Sequence, residues 1–132
     1  MIKYSNQKNI SAKQLSDIFK NSGIHRPITD LTRLEKMLNH ADVLWTAWDN
    51  KKLVGVARAL TDFSYACYLS DLAVDLAYQK HGIGRNLIDH LQKQLGKDVS
   101  MVLLAAPNAM DYYPKVDFKP ADNAFLVPRN PF

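Results

Sequence analysis

The chain is poor in the residues that most quickly narrow a protein's chemistry. It has one cysteine, Cys67, in 132 residues. A single thiol excludes an intramolecular disulfide. Cys67 lies within an apolar stretch and has no basic residue placed to lower its pKa, so a buried structural thiol is expected rather than a nucleophile. The four histidines, His25, His40, His81 and His90, share no metal-ligand spacing, and no metal is expected. No apolar run approaches the roughly 20 residues of a membrane span. Met1–Asn6 has no signal-peptide core, so a soluble, cytoplasmic protein is expected. Repeats, low-complexity tracts and linkers are also missing, which predicts one domain over residues 1–132. The net charge of +4 comes from scattered bases and is too mild to demand nucleic acid. A small anionic ligand would balance it, and so would a simple need for solubility.

What is present reads as alternating elements. Residues 2–5 suit a short strand. Ser11 is a good helix N-cap, and Ala12, Leu15, Ile18 and Phe19 form a helical stripe that ends near Gly23. Asp30 caps a second helix with Leu31, Leu34, Met37, Leu38 and Ala41 on one face. Val43–Asp49 and Lys52–Thr61 read as a hairpin across Asn50-Lys51, and Ala66–Val74 as a third long strand. Ile83–Leu95 is a helix that buries Ile83, Leu87, Ile88, Leu91 and Leu95 and ends at Gly96. Val99–Ala105 has the continuous apolar composition of a strand buried on both faces. Ala109–Tyr113 fits one or two helical turns stopped by Pro114. Phe118 and Ala124–Val127 suit a last strand pair. The order is β-α-α-β-β-β-α-β-α-β-β, a mixed, mostly antiparallel α/β (α+β) sheet of six to seven strands flanked by about four helices, with a parallel strand–helix–strand unit over residues 66–105.

The most informative segment joins the third long strand to its helix: Gln79-Lys80-His81-Gly82-Ile83-Gly84, then Arg85. A glycine-containing turn at a helix start aims free backbone N–H groups at one point, a nest for phosphate or pyrophosphate. Lys80 and Arg85 add positive charge. Gly82 and Gly84 let the backbone approach a ligand or take φ > 0. The segment is not a nucleoside-triphosphate loop, because no Gly-Lys-Ser/Thr follows. The third glycine of G-x-G-x-x-G is also absent, Leu87 standing there.

With Gln79, Gly82 and Gly84 in the signature positions, the segment resembles the Q/R-x-x-G-x-G/A motif of the GCN5-related N-acetyltransferases (GNAT). The similarity runs over nearly the whole chain and is strongest from Leu53 to Phe118. It implies that residues 79–85, including His81 and Ile83, hold the pyrophosphate of acetyl-CoA. It also implies that the pantetheine arm lies along Leu72, Ala73 and Val74. The stretch Tyr112-Tyr113-Pro114-Lys115-Val116-Asp117-Phe118 resembles the family's (F)Y-x-x-x-G-F segment. Tyr113 is then the tyrosine that protonates the departing thiolate of CoA, and Asp117 replaces a glycine. Asn108 is either a ligand of the pantetheine arm or a plain helix cap.

Acceptor chemistry is read from the remaining polar residues. Period-2 alternation puts Asp71 on one strand face with Cys67, Leu69 and Ala73. A carboxylate among apolar groups needs a partner or a task. It is either a general base for the amine or a structural hydrogen-bond partner. Arg26, Arg58, Asp62 and Tyr68 are candidates for the acceptor cleft. The segment Val54–Asp62, the loop and the compact Ala105–Tyr113 stretch together resemble the small bacterial and plastid-type subgroup that includes arylalkylamine (serotonin) N-acetyltransferases. That similarity implies transfer from acetyl-CoA to the primary amine of a small molecule, an arylalkylamine or a polyamine, by direct attack through a tetrahedral intermediate. A protein or peptide acceptor and a non-catalytic acyl-CoA-binding regulator are the alternatives. The apolar Phe125-Leu126-Val127 would serve a homodimer interface or pack within one chain.

Overall fold

The computed structural model describes residues 1–132. Five strands form one sheet in the order β1 (Ile2–Ser5), β2 (Val43–Asp49), β3 (Lys52–Thr61), β4 (Ala66–Val74) and β5 (Ser100–Val102). Strands β1 to β4 are antiparallel, and β5 is parallel to β4. Helices α1 (Ala12–Ser22) and α2 (Leu31–Asn39) cover one face, and α3 (Ile83–Leu95) covers the other. Short 3-10 turns occupy Leu76–Tyr78, Pro107–Ala109 and Tyr113–Val116. No helix is long and apolar enough to cross a membrane.

Local chemistry explains the helix limits. Ser11 caps α1 by accepting from Gln14 N at 3.0 Å, and Gln14 Oε1 accepts in return from Ser11 N at 2.9 Å. Gly23 ends α1 in the left-handed conformation. Asp30 caps α2 through Arg33 N. Each helix buries one stripe, giving two cores separated by the sheet. Leu15, Ile18, Phe19 and Leu34 pack with Val56 and Ala73 on one side, and Ile83, Leu87, Ile88 and Leu91 pack with Ala57, Ala59, Cys67 and Leu69 on the other.

Three expectations are corrected. The sheet has five strands rather than six or seven, and three α-helices rather than four flank it. Val99–Ala105 contributes only Ser100–Val102 to the sheet, and Val102 and Leu104 are each 51% exposed, so this is not a strand buried on both faces. Ala124–Val127 forms no strand, and Phe125 and Val127 are almost fully exposed. Hydrophobic β-formers become a strand only where a sheet edge pairs with them, and here none does.

A fourth correction concerns β4. Its register against β3 jumps from Arg58↔Asp71 to Ala59↔Leu69, which leaves Ser70 as an extra residue. Such a bulge breaks the alternation of side chains. Cys67 and Leu69 therefore face α3, whereas Ala73 joins the core under α1 and α2. Asp71 pairs with Arg58, whose guanidinium also reaches the Met37 carbonyl in α2. Asp71 thus does not share a face with Cys67 and Leu69.

Candidate active site

The connection from β4 to α3 is fixed at both ends. Asp75 N donates to Val54 O at 2.9 Å, and the Asp75 carboxylate accepts from Ala77 N at 2.9 Å. Gln79 Nε2 donates to Val74 O at 2.9 Å and folds the loop back on the strand end. Lys80 (φ 69°) and Gly82 (φ 79°) are both left-handed, a strain that Gly82 alone bears freely. Gly82 is the N-cap of the 13-residue α3 and supplies no side-chain cap. The first backbone bond of the helix is Asn86 N to Gly82 O at 2.9 Å, so the preceding N–H groups are free for an anion. Gly84 makes room of another kind, because any larger residue there would displace Tyr112. A Cβ there would lie 2.7 Å from the Tyr112 hydroxyl.

Beside this loop the sheet splits. Pairing of β4 with β5 ends at Tyr68↔Val102, while β4 runs on to Val74. The gap opens a cavity of about 1090 Å³. Leu69–Val74 line one wall, Leu103–Ala106 line the other, and Tyr112 and Tyr113 border it. Arg85 Nη1 donates to Lys115 O at 2.9 Å, which ties the 3-10 turn carrying Tyr113 to the start of α3.

The two tyrosines are electrostatically distinct. Burial pushes the Tyr113 phenol above its ordinary pKa, and the charge of Arg26 pulls it partly back. Burial raises Tyr112 as well, but the opposing charge is that of Arg85. The Tyr113 phenol thus feels the charge of Arg26, and the Tyr112 hydroxyl lies against Gly84 in the loop. Tyr113 packs edge-on against Phe118 and Tyr112, with ring centroids 5.6 and 5.2 Å away. Asp117 takes the turn that follows with φ 73°, a conformation that aspartate tolerates better than most residues.

Asp71 is 1% exposed. Its Oδ1 accepts from Arg26 Nε at 2.6 Å, and its Oδ2 accepts from Arg58 Nε. Ser70 completes the cluster, its carbonyl accepting from Arg26 Nη2 and its Oγ from Arg58 Nη2, each at 2.9 Å. Of the two roles the sequence left open for Asp71, that of a structural hydrogen-bond partner has its donors in place, each oxygen being held by a guanidinium.

A nest at a helix start, set beside a splayed strand pair and bordered by a tyrosine turn, is the geometry that the sequence motif implies. The model of the acetyltransferase (GNAT) domain matches residues 6–127. The chain belongs to the GNAT family. It is 28% identical over 121 residues to the uncharacterized N-acetyltransferase ycf52 of Porphyra purpurea, covering 86% of this chain and 68% of that protein. It is 34% identical over 71 residues to the chloroplastic GCN5-related N-acetyltransferase 2 of Arabidopsis thaliana, covering 52% of this chain and only 28% of that longer protein. A Staphylococcus aureus protein of unknown function, described as a probable acetyltransferase, shares the fold with a TM-score of 0.85 at 22% identity and full coverage of both chains.

Most of the residues selected from sequence meet in this GNAT cleft. Leu72, Ala73, Val74, Gln79, Lys80, Gly82, Ile83, Gly84, Arg85, Asn108 and Tyr113 line it, as do Arg26, Arg58, Tyr68 and Asp71. His81 does not line it, and neither does Asp62. The Asp62 carboxylate instead closes the β3–β4 turn, accepting from Tyr65, Ser64 and Ala66 N at 2.8 to 3.1 Å. These backbone donors, Tyr65 N–H first, lower its pKa. Sequence reading missed His25, Arg33, Arg129 and Phe132, which also line the cavity. No local pattern marks them, since loop, helix and C-terminal segment meet only in three dimensions.

Buried acids of this GNAT domain make its stability sensitive to alkali. Burial raises the pKa of Cys67, Tyr112 and Tyr113. With raised folded-state values, the native state keeps protons that the unfolded chain has lost, so stability falls as pH rises past the ordinary thiol and phenol range. Urea unfolding between about pH 8 and about pH 10.5 should show a steadily lower midpoint. A flat midpoint across that range would contradict the burial of these groups.

Proposed function

We propose that the chain transfers the acetyl group of acetyl-CoA to the primary amine of a small molecule. The observation that carries this reading is the uncapped start of α3 beside the splayed edge of β4, a place for a pyrophosphate next to a place for a thioester arm. The N–H groups after Gly82, with Lys80 and Arg85, would hold the phosphates, and Leu72–Val74 and Asn108 would hold the pantetheine arm. When bound, acetyl-CoA supplies an activated acyl group. The chain's own part is to orient it, to exclude water and to protonate the leaving thiolate from Tyr113. Asp71 enters as the group that fixes Arg26 and Arg58 in the cleft wall. The proton of the incoming amine then leaves to water at the open mouth. The aromatic lining by Tyr68, Tyr113 and Phe132 supports an acceptor of arylalkyl type.

Calorimetric titration with acetyl-CoA tests the reading. Wild type should bind with a dissociation constant on the order of 1 μM. A folded Gly82→Trp/Gly84→Trp double variant should not bind, because a side chain at 84 meets the Tyr112 hydroxyl and one at 82 is strained. Folded wild type that fails to bind would remove the acetyltransferase reading. Binding without turnover of any amine would favour an acyl-CoA-binding regulator.

A further inference from the structure

The cleft has an unequal distribution of charge that acetyl-CoA does not explain. Lys80, Arg85 and Lys115 gather around the anion nest and are accounted for by phosphates. Four arginines, Arg26, Arg33, Arg58 and Arg129, line the rest of the cavity against one acid, Asp71. Among side chains that leaves a surplus of three positive charges. Arg58 and Arg26 are pinned by Asp71, yet each guanidinium has five N–H donors and uses three of them, Arg26 donating also to the His25 carbonyl at 2.7 Å. Arg33 is exposed, and its charged group rests 5.5 Å from the centre of the Phe132 ring. Phe132 also stacks on His25, with ring centroids 4.4 Å apart. Arg129 belongs to the same C-terminal segment. The acceptor end of the cavity is thus walled by cations from the α1–α2 loop, from α2, from β3 and from the C-terminal segment.

A polyamine or another multiply charged cation would enter this region against like charge. An amine that also carries an anion would find planar, multidentate donors along this wall. We propose that the acceptor is a small primary amine bearing an anionic group, a carboxylate or a phosphate, which Arg26, Arg33 and Arg129 hold while the amine faces the thioester. The inference rests on the acetyl-transfer reading and narrows its substrate.

Thiol release from acetyl-CoA, followed with matched acceptors, tests it. Tryptophan is compared with its methyl ester and with tryptamine, ornithine with putrescine, and O-phosphoethanolamine with ethanolamine. The ester is the sharpest control, because it removes the negative charge without making the amine more basic. In the sets that turn over, the anionic member should have at least a tenfold higher kcat/KM. The tryptophan and ornithine sets report a carboxylate preference, and the ethanolamine set a phosphate preference. An Arg33→Gln/Arg129→Gln double variant should cut the preference several-fold, through a raised KM for the anionic member. Both positions are exposed, so the fold should be spared. Equal or better use of neutral and cationic members would overturn the inference and leave the acetyltransferase reading intact. A preference that survives the double variant undiminished would overturn the assignment of these arginines. Acetyl-CoA binding with no turnover in any set would overturn the small-amine reading itself, and this inference with it.

Discussion

Replacing Tyr113 with phenylalanine should lower kcat on the order of 10²-fold or more, the range expected for loss of a positioned general acid. The affinity for acetyl-CoA should be nearly unchanged. The ring would still pack against Phe118 and Tyr112, so only the proton donor is lost. Burial raises the pKa of this phenol, which keeps it protonated to higher pH than an exposed tyrosine. Wild type should therefore hold its activity well into the alkaline range before a descending limb appears. In Tyr113→Phe that limb should vanish from the residual activity. Tyr112→Phe is the natural comparison, because Tyr112 faces Arg85 rather than Arg26, and its loss should cost far less. A Tyr113→Phe enzyme with kcat within twofold of wild type would remove the assignment.

The second large effect is on stability. Replacing Asp71 with alanine leaves Arg58, 6% exposed, and the half-buried Arg26 without their shared partner. Breaking a buried ion pair by removing one member costs roughly 3–5 kcal/mol, because the remaining charge is left desolvated and unpaired. For a domain of this size that is a fall in Tm on the order of 10 °C or more, readable by thermal unfolding. Restoring an apolar contact should recover part of the loss. An Asp71→Leu/Arg58→Met variant is expected to melt well above Asp71→Ala, since it removes the buried charge together with its partner. If Asp71→Ala melts within 2 °C of wild type, the cluster is not the stabilising unit described above. The two substitutions separate chemistry from architecture. Tyr113→Phe should change rate without changing Tm, and Asp71→Ala should change Tm whatever it does to rate.

Much of the molecule was legible residue by residue. Strands β2, β3 and β4 and helix α3 have the limits that their patterning predicts, because period-2 and period-3.6 burial are local properties of a sequence. The loop from Gln79 to Gly84 was equally legible. Its strand, its glycines and its helix are contiguous, so the nest follows from neighbours along the chain. The stretch after Val99 was not. Val102 and Leu104 are apolar yet half exposed, because the Leu103–Ala106 wall stands apart from β4 where the sheet splits. Phe125 and Val127 have the composition of a strand and no edge to join. Asp62 directly follows Thr61, the last β3 residue paired with β4, and turns away to cap the β3–β4 connection.

The sequence by itself determined the order of elements through β5, the buried helical stripes and the glycine-bearing, uncapped start of α3. Each depends on periodicity, capping or glycine conformations that act within a few residues. Only the tertiary structure decided the face on which Asp71 lies, its capture by Arg26 and Arg58, the splay between β4 and β5, and the gathering of four arginines along the cavity. The physical reason is separation. Asp71 lies 45 positions from Arg26 and 13 from Arg58, and one bulge residue, Ser70, chooses the side of the sheet. Such contacts arise from strand register and loop closure, which no local pattern of residues encodes.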